Sequence, residues 1–428
     1  MTRKRKVFHK IVGYVAGRRQ RAENRSVEKA LQYIDGHWSV LTRHFPQDTG
    51  MIIGLPHPFV VPAADPKSEF KFEEQYYWDS YFIALALVRT GRTKTAEGML
   101  ENLIYLYKKF HFIPNASQMY LMSRSQPPLL TSYIRLVYEA GGKDAAWLKE
   151  KMSIAEDEYR RVWMSEKHPF WHKVHRGLSR YYDINVLHDL AEAESGWDMT
   201  PRFERKCLDY LPVDLNSMLY KYETDLAWAA KLLGDDKTAA HWNHVAGHRQ
   251  HEMNKLMWHK RRGFYFDNKY TKRQIGDVWS LAGFYPMWAG MASQEQADRM
   301  AKQLYRFEQK GGLTTTTRSL IDLTSVFGSI KTQWAYPNGW APLHWVVIEG
   351  LKNYGYDAEA ERIAKKWLHT NLDWFEKHGV FLEKYNVVAP HKPPVEGLYP
   401  SQTGFGWTNS IFVCLAKQYM TDATAEQD

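Results

Sequence analysis

Apolar residues return every three or four positions along most of this 428-residue chain, the period of an α-helix that buries one face. In residues 95–110, Met99, Leu103, Leu106, Tyr107 and Phe110 share a side. The same period predicts helices over 129–140, 145–163, 214–233, 239–258, 293–307, 342–354, 358–378 and 409–420. Residues 73–87 read as a further apolar helix that opens at Trp78-Asp79. Glycines stand where several patterns stop, at Gly141-Gly142, Gly234, Gly355 and Gly379, as helix C-termini favour. Ser293 and Gln296 have the spacing of a capping box. Strand-like signals are few and short, such as 51–56 and 263–267.

No Pro- or Ser-rich linker divides the chain, and no repeat is evident. About a dozen helices without a linker predict one all-α domain in which paired helices share a core. Composition adds to this picture at three points. Hydrophobic content of 44% and charged content of 25% sit near globular averages, so an extensive core is expected. The 17 Trp and 26 Tyr are unusual; most are expected in that core, while some suit a flat-walled sugar cleft. The net charge of +9 is partly local, because the first 21 residues are rich in Lys and Arg and hold no acid. Residues 1–26 are expected to be a basic, flexible arm and 27–428 the folded domain.

That arm carries no interleaved aromatic-basic pattern, so no nucleic-acid function is expected. Its apolar stretch is short and interrupted by Lys10, unlike a signal peptide. No run approaches about 18 apolar residues, so no membrane span is predicted. Cys207 and Cys414 fall in apolar patterns far apart in sequence, as buried thiols of a cytoplasmic protein would. A monomer is favoured.

The chemistry-bearing residues cluster in the loops, where a rigid scaffold presents its site. In 191–203, Glu194, Trp197 and Asp198 share a Ser-Gly turn ahead of Pro201. A carboxyl beside an indole is desolvated and stays protonated, as a general acid requires; alternatively Asp198 caps a helix with Pro201 in its first turn. Asp79 is either an N-cap or an acceptor for sugar hydroxyls. Asn115, Arg124 and Gln126 lie in a loop bounded by prolines and are the multi-donor groups that orient a polyol. Residues 332–345 hold three Trp with Gln333 and Asn338, more than packing alone predicts. Residues 381–409 hold two glutamates, Glu383 and Glu396, among prolines, glycines and aromatics, and composition alone favours Glu396, in the Gly/Pro stretch before the aromatic cluster, as the catalyst. His241, His244, His248 and His251 share a helical face but lack the companions of a zinc site, so a solvated face and no metal are expected. Separated carboxylates with Arg, Asn, Gln and Trp make the inventory of a glycosidase cleft.

The motifs YYWDSYF (76–82), IPN with SRSQPP (113–128), SGWD (195–198), PVDLNS (212–217), QW with YPNGWAPLHWV (333–346), LEKYNV (382–387) and GFGWTN (404–409) occur in the order of one family. On them the chain resembles the α,α-trehalase family of glycoside hydrolases, from about residue 50 to about residue 420. The resemblance implies an (α/α)6 toroid and inverting hydrolysis of an α-glucosidic bond without a cofactor. It places Asp198 as general acid and Glu383 as the base that activates water. It implies substrate contacts at Phe72, Trp78, Asp79, Asn115, Arg124, Ser125, Gln126, Gly196, Trp334 and Trp407.

Four departures bear on the substrate. Lys71 stands where the family has an arginine, and Ala335 where it has an aspartate. The family's Arg-Pro-Glu clamp is missing from a shortened segment between Asp183 and Ser195. Leu398 stands where the family has a sugar-holding glutamate, and Glu396, two residues upstream, is the candidate replacement. Trehalose is the expected substrate. Glucosylglycerate or mannosylglycerate is the alternative within enzymes, and a catalytically weak sugar-binding protein the alternative outside them.

Overall fold

A computed structural model describes residues 23–318, 332–397 and 400–420. The expected arm lies, up to residue 22, outside the described residues, as does Leu398. The helices are α1 (23–41), α2 (Tyr77–Arg89), α3 (Thr93–Phe110), α4 (Leu130–Glu139), α5 (Ala145–Glu158), α6 (His188–Glu194), α7 (Val213–Leu232) and α8 (Asp236–Leu256). Short α9 (Tyr285–Trp288) and α10 (Gln294–Ala301) follow, then α11 (Ala341–Lys352), α12 (Asp357–His378) and α13 (Gly406–Tyr419).

Two kinds of helix alternate along the chain, and their composition explains the layering. From Tyr77 to Leu87 every residue of α2 is buried, and so is every residue of α13 from Gly406 to Ala416. A helix apolar all round belongs inside. In α3 burial is confined to one stripe through Ala96, Met99, Leu103 and Leu106, with Lys108 and Lys109 in the last turn, so α3 faces water on its other side. The inner helices α2, α4, α7, α9, α11 and α13 each touch the next, and α13 returns to α2, closing a ring. Outer helices pack on the preceding inner ones, α3 on α2, α5 on α4, α8 on α7 and α12 on α11. This is an (α/α)6 toroid, as expected.

Most of the predicted helices form within a few residues of their expected ends. Ser293 and Gln296 make the reciprocal capping box. Two predicted helices are too long. The 145–163 pattern is α-helical only to Glu158 and then widens into a π turn over Tyr159–Trp163. The 293–307 pattern leaves the helix after Ala301 and buries Leu304 and Phe307 from a tight turn that leads into the hairpin Glu308–Gln309/Gly312–Leu313. Residues 51–56 form no ladder; Ile52 makes isolated bridges to Thr49 and Gln118. Residues 263–267 do contribute a strand, Phe264–Tyr265 against Trp258–His259. Both cysteines are buried thiols. The four histidines of α8 are all exposed, and no described helix is long and apolar enough to cross a membrane.

Candidate active site

The residues just before the inner helices, or in their first turns, gather at one end of the ring. They enclose a cavity of about 340 Å³ lined by Phe72, Trp78 and Asp79 at α2, Asn115, Arg124 and Gln126 before α4, and Gly196 and Asp198 before α7. Trp334 joins them ahead of α11, and Phe405 and Trp407 at α13. The converging N-termini carry the positive ends of the helix dipoles, which favour carboxylates and polyol oxygens there.

Asp198 sits at this wall, partly open to the cavity. Burial pushes its carboxyl up to about 7, and the nearby Glu383 carboxylate adds to the rise. The cap alternative fails, because the hydroxyl of Thr200 accepts from the Arg202 N–H and caps the short turn Pro201–Phe203. Asp198 therefore does not cap that turn, and its carboxyl accepts from its own backbone N–H, which partly offsets the rise. Its own carbonyl accepts from Gln333 Nε2 at 2.6 Å, and the Met199 carbonyl from the Trp334 N–H at 3.1 Å, stitching the 196–200 loop to the 332–335 loop.

The floor beneath that loop is aromatic. Arg202 lies 4.3 Å from the Trp197 ring, Trp197 stacks on Trp334 at 5.6 Å, and Trp334 on Trp340 at 3.7 Å. Arg202 is fully buried between Asp214 and Asp267, at 2.7 and 2.9 Å. Removing one member of a buried ion cluster strands the rest, at a cost of about 3–5 kcal/mol. Urea titration of Arg202→Ala is expected to show a loss of that order, with a lower midpoint and an unchanged slope.

Gly196 adopts φ +71°, and a Cβ there would stand 2.8 Å from the Trp78 indole. Only glycine gives both the left-handed turn and the close approach. Trp78 is in turn boxed by Trp334 and Trp407, each 5.9 Å away.

The polar residues hold the frame with one atom and offer another. Gln126 Oε1 accepts from the Trp78 N–H at 3.0 Å, leaving Nε2 for a ligand. Asn115 Nδ2 donates to the Ser125 carbonyl at 2.9 Å, leaving Oδ1. Arg124 is fixed by Asp183 at 3.1 Å and by Ser123 at 2.9 Å, and its Nε–H is unpartnered. Asp79 is not the N-cap of α2; Tyr76 is. Asp79 lies in the first turn with its carboxyl at the cavity, held well above the usual range by burial and then by Glu383 and Asp198.

Glu383 is fully buried behind the lining, paired with buried Lys384 at 2.7 Å. The strand Lys384–Asn386 pairs with Asn338–Trp340, and Trp407 Nε1 donates to the Glu383 carbonyl at 3.2 Å. These contacts place Glu383 within electrostatic reach of both Asp79 and Asp198.

Two expected contacts lie elsewhere. Ser125 is buried outside the lining, donating to the Ile113 carbonyl at 2.7 Å; its neighbours Arg124 and Gln126 point into the cavity instead. Glu396 is exposed and is not part of the lining. Lys71 is exposed as well, bonding the Asp65 carbonyl at 2.7 Å. Where the clamp is missing, Ile184, Val186 and Leu187 form an exposed turn.

Sequence reasoning named Glu194 without its task and missed Glu192, the two supports around Asp198. Glu192 accepts from the Thr200 N–H at 2.6 Å and is pushed up to about 8 by burial. Glu194 accepts from the Ser125 and Tyr182 N–H groups and from His172 Nε2. Acids spaced i, i+2 carry no helical-face signal, so only the turn that follows α6 reveals their shared task.

The fold has counterparts among known proteins. Neutral trehalase Nth1 from Saccharomyces cerevisiae superposes with a TM-score of 0.73 at 30% identity, over 86% of this chain and 74% of that one. The GH63 mannosylglycerate hydrolase from Thermus thermophilus, in complex with Tris and D-glycerate, gives 0.64 at 19% identity over 91% and 99%. At that identity it shows the fold alone. The Trehalase family matches residues 9–194 and 166–420. With this match spanning the carboxylates and the aromatic box alike, the chain belongs to the trehalase family and is a glycoside hydrolase.

Proposed function

We propose that the protein hydrolyses α,α-trehalose to two glucose molecules with inversion, Asp198 acting as general acid and Glu383 as general base. The observation that carries this reading is the contrast between two carboxyl groups in electrostatic contact. Asp198 is pushed up to about 7 at the cavity wall, while Glu383 forms an ion pair with Lys384. A carboxyl that burial keeps protonated suits the acid, and one ion-paired with an ammonium suits the base.

In the proposed reaction the Asp198 carboxyl donates its proton to the glycosidic oxygen as the bond to the anomeric carbon breaks. Water attacks that carbon from the opposite face and gives a proton to Glu383. An inverting pair needs a separation of roughly 6.5–9.5 Å to admit this water. Asp79, Asn115 Oδ1, Gln126 Nε2 and Arg124 hold the hydroxyls, and the Trp78, Trp334 and Trp407 box covers the ring. A cytoplasmic setting, in which Cys207 and Cys414 stay thiols, belongs to the same proposal.

The test is trehalose turnover followed by NMR before the anomers mutarotate. One β-glucose and one α-glucose should appear per turnover, since the leaving sugar keeps its configuration. Two α-glucose molecules would overturn the inverting assignment, and no glucose at all would overturn the substrate. A second reading, an α-glucoside with a different leaving group, is favoured by the exposed turn at Ile184–Leu187 where the family clamp is expected. Release from glucosylglycerate but not from trehalose would select it.

A further inference from the structure

Behind Arg124, away from the acid, lies a second cavity of about 410 Å³. Its body is apolar, formed by Phe110, Phe112, Met122, Val162, Trp171 and Ile184. Arg124 lines both cavities, so the two share a wall.

Three features distinguish this space from a packing void. His172 lines it with a side chain only 6% exposed, and its Nε2 is engaged by Glu194 at 3.1 Å. Both Glu194 oxygens already accept backbone N–H groups, so His172 Nε2 donates the proton. Its Nδ1 is then a lone pair, and it has no partner. A buried acceptor left unmatched calls for a hydroxyl or N–H donor.

The second feature is the charge at the mouth. Arg161 is committed to Asp157 at 2.8 Å, whereas Lys167 is exposed at the rim with no anionic partner among the described residues. The third is the rigid side wall. Trp171 is clamped between His168 at 3.9 Å and Tyr182 at 5.3 Å, all three rings nearly parallel. An apolar chamber with a few fixed polar groups is the form of a small-molecule site.

We propose that this cavity binds a small carboxylic acid with an aromatic or apolar body and a hydroxyl group. The body fills the space between Phe112, Val162 and Ile184, the carboxylate meets Lys167, and the hydroxyl donates to His172 Nδ1. The site goes beyond the hydrolytic reading and does not rest on it. Through Glu194, which ties His172 to Ser125 and to the turn before Asp198, occupancy reaches the frame of the catalytic cavity.

Calorimetry on the full chain with 4-hydroxyphenylacetate tests this, with saturating glucose present to occupy the catalytic cavity. One equivalent should bind, and the neutral 4-hydroxyphenylacetamide should bind at least about tenfold more weakly, as should acetate. Lys167→Glu and Ile184→Glu, both at exposed positions, should each weaken binding at least about tenfold while leaving the melting temperature unchanged. No binding at millimolar concentration, equal binding of the amide, or full affinity in both variants would overturn the proposal. So would binding that appears only when glucose is omitted, which would place the acid in the catalytic cavity instead.

Discussion

Asp198→Asn should lower trehalose turnover by about 10²–10⁴-fold and leave the ring intact. The amide keeps the shape but cannot deliver a proton to the leaving oxygen. A substrate whose leaving group needs no proton separates this role from a structural one. α-Glucosyl fluoride should therefore retain far more of its rate in Asp198→Asn than trehalose does. Equal loss on both substrates would remove Asp198 from the acid role.

The same substitution has a stability signature whose sign follows from burial. The Asp198 carboxyl is raised to about 7 in the fold, against about 3.9 unfolded. The folded state thus holds this proton more tightly. Its contribution is fully present below about pH 4 and is lost as pH rises through about 7. Asp198→Asn removes that loss, so the variant should gain stability over the wild type at pH 8 and little at pH 4. The carboxyl keeps some contact with the cavity, which discounts the gain to about 1–2 kcal/mol. Thermal melts at the two pH values measure it. A wild-type rate that declines above about pH 7, with the decline absent on α-glucosyl fluoride, is the kinetic counterpart.

The second large effect is expected at Glu383. Glu383→Ala should reduce trehalose hydrolysis by about 10²–10⁴-fold. It also removes the carboxylate from a pair with Lys384 in which neither side chain has exposed surface, so a destabilisation of about 3–5 kcal/mol should accompany it. Loss of activity alone would not separate chemistry from folding, so the informative readout is rescue. With the base gone, azide needs no deprotonation and can attack the anomeric carbon from the vacated face. β-Glucosyl azide should form in the variant and not in the wild type. Recovery of α-glucosyl azide would mean attack from the other face and would sink the assignment of Glu383 to the water side.

The two glutamates of the 381–409 segment show how sequence and structure divide the work. Glu396 sits among prolines and looks like a loop contact, yet it is exposed and outside the lining. Glu383 lies in a short strand flank and is buried against Lys384. Local composition favours Glu396 as the catalyst, whereas motif order singles out Glu383. Asp79 shows the same limit. Its place near a helix start was legible, but a cap differs from a first-turn residue by a few positions, and only the backbone distinguishes Tyr76 as the cap.

Helical periodicity, glycine stops and apolar inner segments determined the class of this fold from sequence alone, because burial of a stripe or of a whole helix is written in residue spacing. The motifs likewise determined which loops hold the carboxylates and tryptophans. Tertiary structure decided what spacing cannot encode. It closed six inner helices into a ring, brought loops more than a hundred residues apart to one end, and buried Asp198 and Glu383 in mutual electrostatic reach. It also placed Arg202, Glu192, Glu194, His172 and Lys384 as supports, since hydrogen bonds and ion pairs between distant segments leave no period behind. The elevation of the Asp198 carboxyl is a property of that assembled environment, because desolvation exists only once the walls have met.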